Sequence, residues 1–204
     1  MLGLIMALLL GATRVLRSPG DGGGEPSDED LFARYVDGDR AAFGVLWSRH
    51  APAIARLMRK QIRRSEDVND LVQQTFLQLH RARRDFRQGA RLRPWLYTIA
   101  LNLRREYWRR YARTPIAHVE LDERMLPTTE QADIVGKEDA RRVRAALAKL
   151  PAGQRDVIEL HWLEGFSFPE VAQIVGASLS AVKVRAHRGY KVLRKHLGPE
   201  EGPV

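Results

Sequence analysis

The sequence predicts an all-α protein, built as two small helical domains joined by a flexible acidic linker. Three observations carry this. Apolar residues recur at helical spacing almost throughout from Glu29 to Leu197. No stretch sustains the apolar–polar alternation that a half-buried strand needs. The periodicity lapses between Tyr111 and Lys137, where Pro115 and Pro127 punctuate a run holding His118, Glu120, Asp122, Glu123, Glu130 and Asp133. The expected organisation is a disordered leader over 1–27, a first domain over 28–112, a linker over 113–136, a second domain over 137–197 and a tail over 198–204. With 204 residues in all, each domain has room for a modest core.

The opening MLGLIMALLLGA is too short to span a bilayer, which takes roughly 20 apolar residues. A secretory signal carries positive charge ahead of its apolar run, whereas Arg14 and Arg17 follow this one. A mis-assigned start or a floppy leader remains, and the SPGDGGGEPSDED after it has a disordered composition, so folding is expected to begin near Asp28. Cysteine is absent, which excludes disulfides, thiol catalysis and cysteine-based zinc sites and suits a reducing cytosol; no metal, cofactor or small-molecule substrate is indicated.

In the first domain, DEDLFARYVDGDRAAFGVLWSRHAPAIARLMRKQI predicts a short helix, a break at Gly38, and a longer helix with Phe43, Leu46, Trp47, Ile54 and Leu57 inward. SEDVNDLVQQTFLQLHRA predicts the next helix, with Ser65 as its N-cap and acidic residues in its first turn. Its inner face is Val68, Leu71, Val72, Thr75, Phe76 and Leu79. That leaves Asp70, Gln73, Gln74 and Leu77 outward, a polar stripe with one exposed leucine.

RLRPWLYTIALNLRREYWRRYAR then predicts a helix with one buried stripe of Leu96, Ile99, Ala100, Leu103 and Tyr107. The opposite face presents Thr98, Asn102, Arg105 and Arg109, flanked by Trp95 and Trp108. Before it lies the basic loop RRDFRQGAR, with Phe86, Arg87, Gly89 and Arg91. Between His80 and Arg113 eleven arginines stand against Asp85 and Glu106, which equals the chain's whole net charge of +9. Guanidinium groups for phosphates and aromatic faces for unstacked bases are what single-stranded nucleic acid requires, and a basic loop can help enclose an extruded base.

In the second domain KEDARRVRAALAKL is an amphipathic helix stopped by Pro151, and AGQRDVIELHWLEG is another, closed by Gly165. Ser167 and Glu170 form a capping box for the helix that reaches Val175; Gly176 supplies a tight turn and Ser180 stands to cap the helix that follows. With Ala172, Ile174, Val175, Val182 and Ala186 packing the pair, this is a helix-turn-helix. From Leu179 to Leu197 there are six Lys and Arg residues and no acid, the charge that a major groove lined by phosphate demands.

With these residues in view, the chain from Glu29 to Leu197 resembles the extracytoplasmic-function (ECF) sigma factors, promoter-specificity subunits of bacterial RNA polymerase. DLVQQTFLQL is similar to the family's region-two helix, which docks on the β′ clamp helices; this implies polymerase contact by Asp70, Gln73, Gln74 and Leu77. FRQGARLRPWLYTIALN is similar to the segment that melts and reads the −10 element, which implies that role for Phe86, Arg87, Arg91, Trp95, Thr98, Asn102, Arg105, Trp108 and Arg109. LPAGQRDVIELHWLEGFSFPEVAQIVGASLSAVKVRAHRGYKVL is similar to region four, which reads the −35 element. There the resemblance implies contacts by Ser180, Lys183, Val184, Arg185, His187, Arg188 and Lys191. Core polymerase, through its β′ clamp helices and β flap, promoter DNA as duplex and melted non-template strand, and an anti-sigma factor are the implied partners, in the cytoplasm and without catalysis. The chain departs from the family in carrying Gln74 where Glu is usual, Val184 where Ser is frequent, and Gly189, read as a helix interruption, where Ala is common. Two other readings compete. A stand-alone regulator with a LuxR-like helix-turn-helix leaves the arginine–aromatic face and the polar stripe without work. A nucleic-acid enzyme needs clustered carboxylates in a basic cleft, and Glu66, Asp67 and Asp70 sit in a helix's first turns, where the dipole accounts for them.

Overall fold

Ser27 starts the first helix with a complete capping box: its Oγ accepts from the Asp30 amide, and the Asp30 carboxylate accepts from the Ser27 amide. In the computed structural model, which describes residues 25–87, 89–112 and 134–197 (the backbone alone over 134–140), every regular element is helical. The chain divides into two compact units, described separately below.

In the first unit α1 spans Asp28–Val36, α2 Arg40–Arg59, α3 Ser65–Arg81 and α4 Leu92–Tyr111, with a 3-10 turn at Arg83–Asp85. Gly38, at φ 108°, turns the chain from α1 into α2, where the Asp39 carboxylate accepts from the amides of Ala41 and Ala42. Arg49 reaches back from α2 to Asp28 at 2.6 Å, to Glu25 at 3.3 Å and to the Pro26 carbonyl, while His50 Nε2 lies 2.8 Å from the other Asp28 oxygen. Residues 25–27 therefore belong to the folded unit and not to the leader.

The predicted inner face of α3, from Val68 to Leu79, is buried at all six positions. Ser65 is not its N-cap. Arg64 occupies that position and makes no side-chain cap, so Ser65 is already helical; the acidic Glu66 and Asp67 remain to complement the dipole. In α4 the buried arc is wider than the single stripe expected: Tyr97, Leu101 and Arg104 are buried too, while Ile99 and Tyr107 are only half-buried. Phe43 and Trp47, expected in the core, are half-buried at its edge.

The second unit contains α5 (Ile134–Ala148), α6 (Ala152–Ile158) with a π-helical continuation over Glu159–Leu163, α7 (Phe168–Val175) and α8 (Leu179–Leu197). Helical backbone thus starts at residue 134, inside the stretch expected to be linker; the rest of that linker and the tail lie outside the described residues. Arg155 closes the C-terminal end of α5 by donating to the carbonyls of Leu147, Ala148 and Leu150, groups that a helix end leaves without partners. Gly165 follows the π-helical stretch at φ 74°, as the sequence indicated. The core joins Val143, Leu147, Leu150, Ile158 and Leu193. Gly189 does not interrupt α8. A Cβ there would stand 2.5 Å from Ile158 Cδ1, so the missing side chain is what lets α8 lie close against α6.

Candidate nucleic-acid interfaces

Every third or fourth residue of α3 that is not buried faces solvent, and so Asp70, Gln73, Gln74 and Leu77 are all exposed on one face. Leu77 is 46% exposed. Beside this face, between α2 and α3, runs an open groove of about 660 Å³ floored by Trp47, Ala51, Pro52 and Val72 and edged by Arg56, Arg59 and Gln73. Sequence periodicity put Trp47 inside because it shares a helical face with core residues. Its half-burial beside Pro52, at the groove, is visible only in the fold.

The basic face is built on α4. The N-terminus of that helix is held by a side chain from far away in sequence: Glu29 of α1 accepts from the Leu92 amide at 2.9 Å. Asn102, Arg105 and Arg109 are exposed together, and Arg105 donates to Asn102 Oδ1 at 3.3 Å, which leaves the Asn102 amide nitrogen to donate outward. Thr98 is half-buried and gives its hydroxyl proton to the Pro94 carbonyl. Arg87 and Arg91 are exposed at the loop, whose turn is closed by an Ala90 amide to Arg87 carbonyl bond and by Gly89 at φ 78°.

The two indoles that flank this face belong to different aromatic groups. Trp95 packs on Phe86 with ring centroids 5.1 Å apart, and both lie against the buried Phe32, at 5.9 and 5.0 Å. These rings are therefore half-buried and fix the loop to the bundle. Trp108, 36% exposed, stands edge-on to Tyr107 and Tyr111. Burial, reinforced by the Asp67 carboxylate that accepts its hydroxyl, pushes Tyr107 up to about 12, so it stays a neutral donor that ties α4 to α3. Not all eleven arginines face outward. Arg104 is buried and Arg93 lies half-buried 5.5 Å over the Tyr97 ring, while the exposed Arg110 is paired with Glu106.

In the second unit the expected helix-turn-helix is present. Ser167 and Glu170 make both bonds of the capping box. His161 stacks on Phe168 at 4.1 Å and donates through Nδ1 to the Phe166 carbonyl, which seats the start of α7 on the π-helical stretch. Gly176 turns the chain at φ 67°. The cap of α8 is Ser178, not Ser180: Ser178 Oγ accepts from the Ala181 amide at 3.2 Å, because the helix begins at Leu179, two residues before a Ser180 cap would start it. Val182 and Ala186 are buried against α7. Ser180, Lys183, Val184, His187, Arg188 and Lys191 are exposed, and Arg185 is half-buried.

Comparison with known proteins decides what these surfaces belong to. Residues 46–114 match the Sigma-70 region 2 family and residues 140–193 match Sigma-70, region 4. The RNA polymerase sigma factor CarQ of Myxococcus xanthus is 35% identical over 168 residues, covering 82% of this chain and 96% of CarQ. The chain belongs to the ECF sigma factors. SigM of Mycobacterium tuberculosis, an ECF sigma factor, is 34% identical over 174 residues, covering 85% of this chain and 86% of SigM. The structure of CnrH in complex with the cytosolic domain of CnrY superposes with a TM-score of 0.64 at 31% identity, covering 85% of this chain and 98% of that one. Like its relatives, this sigma factor binds core RNA polymerase and promoter DNA and directs promoter-specific transcription. Among the described residues no group of His, Asp and Glu is placed to hold a metal ion, and no helix is long and apolar enough to cross a membrane.

Proposed function

We propose that the two units divide promoter recognition between them, with residues 28–112 acting as region two and 137–197 as region four, joined by the 113–136 linker. In region two, Asp70, Gln73, Gln74 and Leu77 dock on the β′ clamp helices of core polymerase. An exposed leucine among carboxylate and amide groups is the composition of an interface centre with a polar rim. Next to it, Arg87, Arg91, Arg105 and Arg109 meet phosphates of the melted non-template strand, Asn102 and Thr98 address −10 bases, and Phe86, Trp95 and Trp108 offer aromatic faces for stacking. In region four, α8 enters the major groove of the −35 element. Lys183, Val184, His187 and Arg188 face bases, while Ser180, Arg185 and Lys191 meet the backbone.

The observation that carries the reading is the shared exposure of Asn102, Arg105 and Arg109 on one face of α4 above the loop that Phe86 and Trp95 anchor. The protein acts as a binding subunit rather than a catalyst, in the cytoplasm where polymerase and chromosome meet. It is held in check by an anti-sigma factor, a reading supported by the similar CnrH having been solved in complex with the cytosolic domain of CnrY. Permanganate footprinting with holoenzyme tests the core of this reading. Alanine variants at Asn102, Arg105 and Arg109 should bind core polymerase normally and fail to open duplex promoters, with activity restored on pre-melted templates. Equal failure on both templates would refute a role in melting.

A further inference from the structure

The exposed strip of α8 contains one side chain whose chemistry differs from its neighbours. Val184 is 48% exposed, more than any other large apolar side chain among the described residues. Lys183 precedes it, and His187 and Arg188 lie one turn further on, at the three- and four-residue spacings that share a helix face. All three are exposed and make no hydrogen bond or ion pair among the described residues. Valine favours neither the helix, where its branched Cβ restricts the rotamer, nor water, and here it fills no core. A single exposed apolar residue is ordinary on a protein surface, but this one stands at the centre of the polar strip assigned to the groove. Base edges in the major groove offer donors, acceptors and one apolar group, the C5-methyl of thymine.

We propose that Val184 is a specificity-determining residue that reads the methyl group of one thymine in the −35 element. This rests on the assignment of α8 to that element and adds the chemical group recognised. Valine cannot donate or accept a hydrogen bond, so its discrimination lies in the presence or absence of the methyl. Lys183 and Arg188 on either side hold the helix in register through guanine and phosphate contacts. At the usual transfer value for one buried methylene-sized group, loss of the methyl weakens binding about four-fold.

The test uses holoenzyme assembled from the full chain and core polymerase. Preferred −35 duplexes are selected from a randomised library, and each thymine on either strand is then replaced singly by deoxyuridine, which differs only in lacking the methyl. The expected result is one position at which deoxyuridine weakens wild-type binding about four-fold, with the difference abolished in Val184→Ala. Indifference to deoxyuridine at every position, sensitivity that persists in Val184→Ala, or selected elements with no A·T pair would each overturn the proposal. The underlying assignment is judged apart: if duplexes with a scrambled −35 element bind holoenzyme as tightly as selected ones, α8 does not read that element and the inference falls with it.

Discussion

Asp28→Ala should strip a large part of the stability from the first unit while leaving the second untouched. The Asp28 carboxylate touches two cationic or potentially cationic side chains, Arg49 at 2.6 Å and His50 at 2.8 Å, and the Asp28 and Arg49 side chains are 11% and 9% exposed. Removing one partner of an ion pair so nearly buried leaves the other largely desolvated, with only the exposed Glu25 carboxylate and the Pro26 carbonyl to compensate Arg49, a loss approaching about 3–5 kcal/mol. That is a large part of the roughly 5–15 kcal/mol available to a domain. Hydrogen exchange read by mass spectrometry separates the two units in one sample. The slowest amides of α2 to α4 should lose roughly two to four orders of magnitude of protection, and peptides from 141–197 should not change. A pH arm follows from the same geometry. Burial raises the Asp28 pKa, but the hydrogen bonds and charges of His50 and Arg49 outweigh it and hold the group below its ordinary value of 3.8. A carboxylate depressed on folding stabilises above its unfolded pKa and loses that contribution as pH falls through the folded one. The gap between wild type and variant should therefore be full at neutral pH and close only in strong acid, toward about pH 3 and below. Less than about tenfold loss of protection, or a gap that shrinks between pH 7 and about pH 5, would refute the description of Asp28 as the hub of a buried ionic cluster.

Three further expectations concern the interfaces and the turn that sets them. Alanine at both Asp70 and Gln73 should weaken association with core polymerase about tenfold, with circular dichroism unchanged because both side chains are exposed; undiminished pull-down would remove α3 from the interface. Gly176→Ala should cost the second unit about 1 kcal/mol, since its φ of 67° disfavours a Cβ although nothing lies within 4 Å of one; an unchanged unfolding free energy would mean that the turn can relax. Lys191→Ala should weaken all promoters similarly and reduce the salt slope of binding by about 1, whereas a change in −35 preference would place Lys191 against bases.

What the sequence exposed most clearly were the faces of α3 and α8. Both are long amphipathic helices in which one side is decided by local periodicity, so Val68 to Leu79 and Val182 to Ala186 fell where the pattern placed them. Caps were read unevenly: the Ser167–Glu170 box was found, whereas the Ser27–Asp30 box fell in the expected leader, Ser65 was taken for a cap at the position Arg64 occupies, and Ser180 for the cap that Ser178 makes. Contacts between distant segments left no local trace. Glu29 receives the Leu92 amide across 63 residues, Arg155 closes a helix that ends before it, and Arg104, counted with the nucleic-acid charge, is buried. The loop aromatics were singled out for their chemistry, but their partner Phe32 is a core residue of α1, and only the fold brings the three rings together.

The absent side chain at Gly189 constrains how this sigma factor can be re-engineered. Promoter specificity invites redesign by grafting, in which the α8 sequence of a relative replaces the native one while the outward residues are kept in register. A donor helix with alanine at this position would bring its Cβ against Ile158 Cδ1 on α6, and the graft would seat only after that side chain rotated or the helix lifted. A lift of a few tenths of an ångström at Gly189 tilts Lys183 through Arg188 relative to the rest of the domain, changing the aim of residues that were transplanted unaltered. Positions 158 and 189 therefore form a mount that should travel together, and grafts that change both should reproduce the donor's preference more faithfully than grafts of the helix alone.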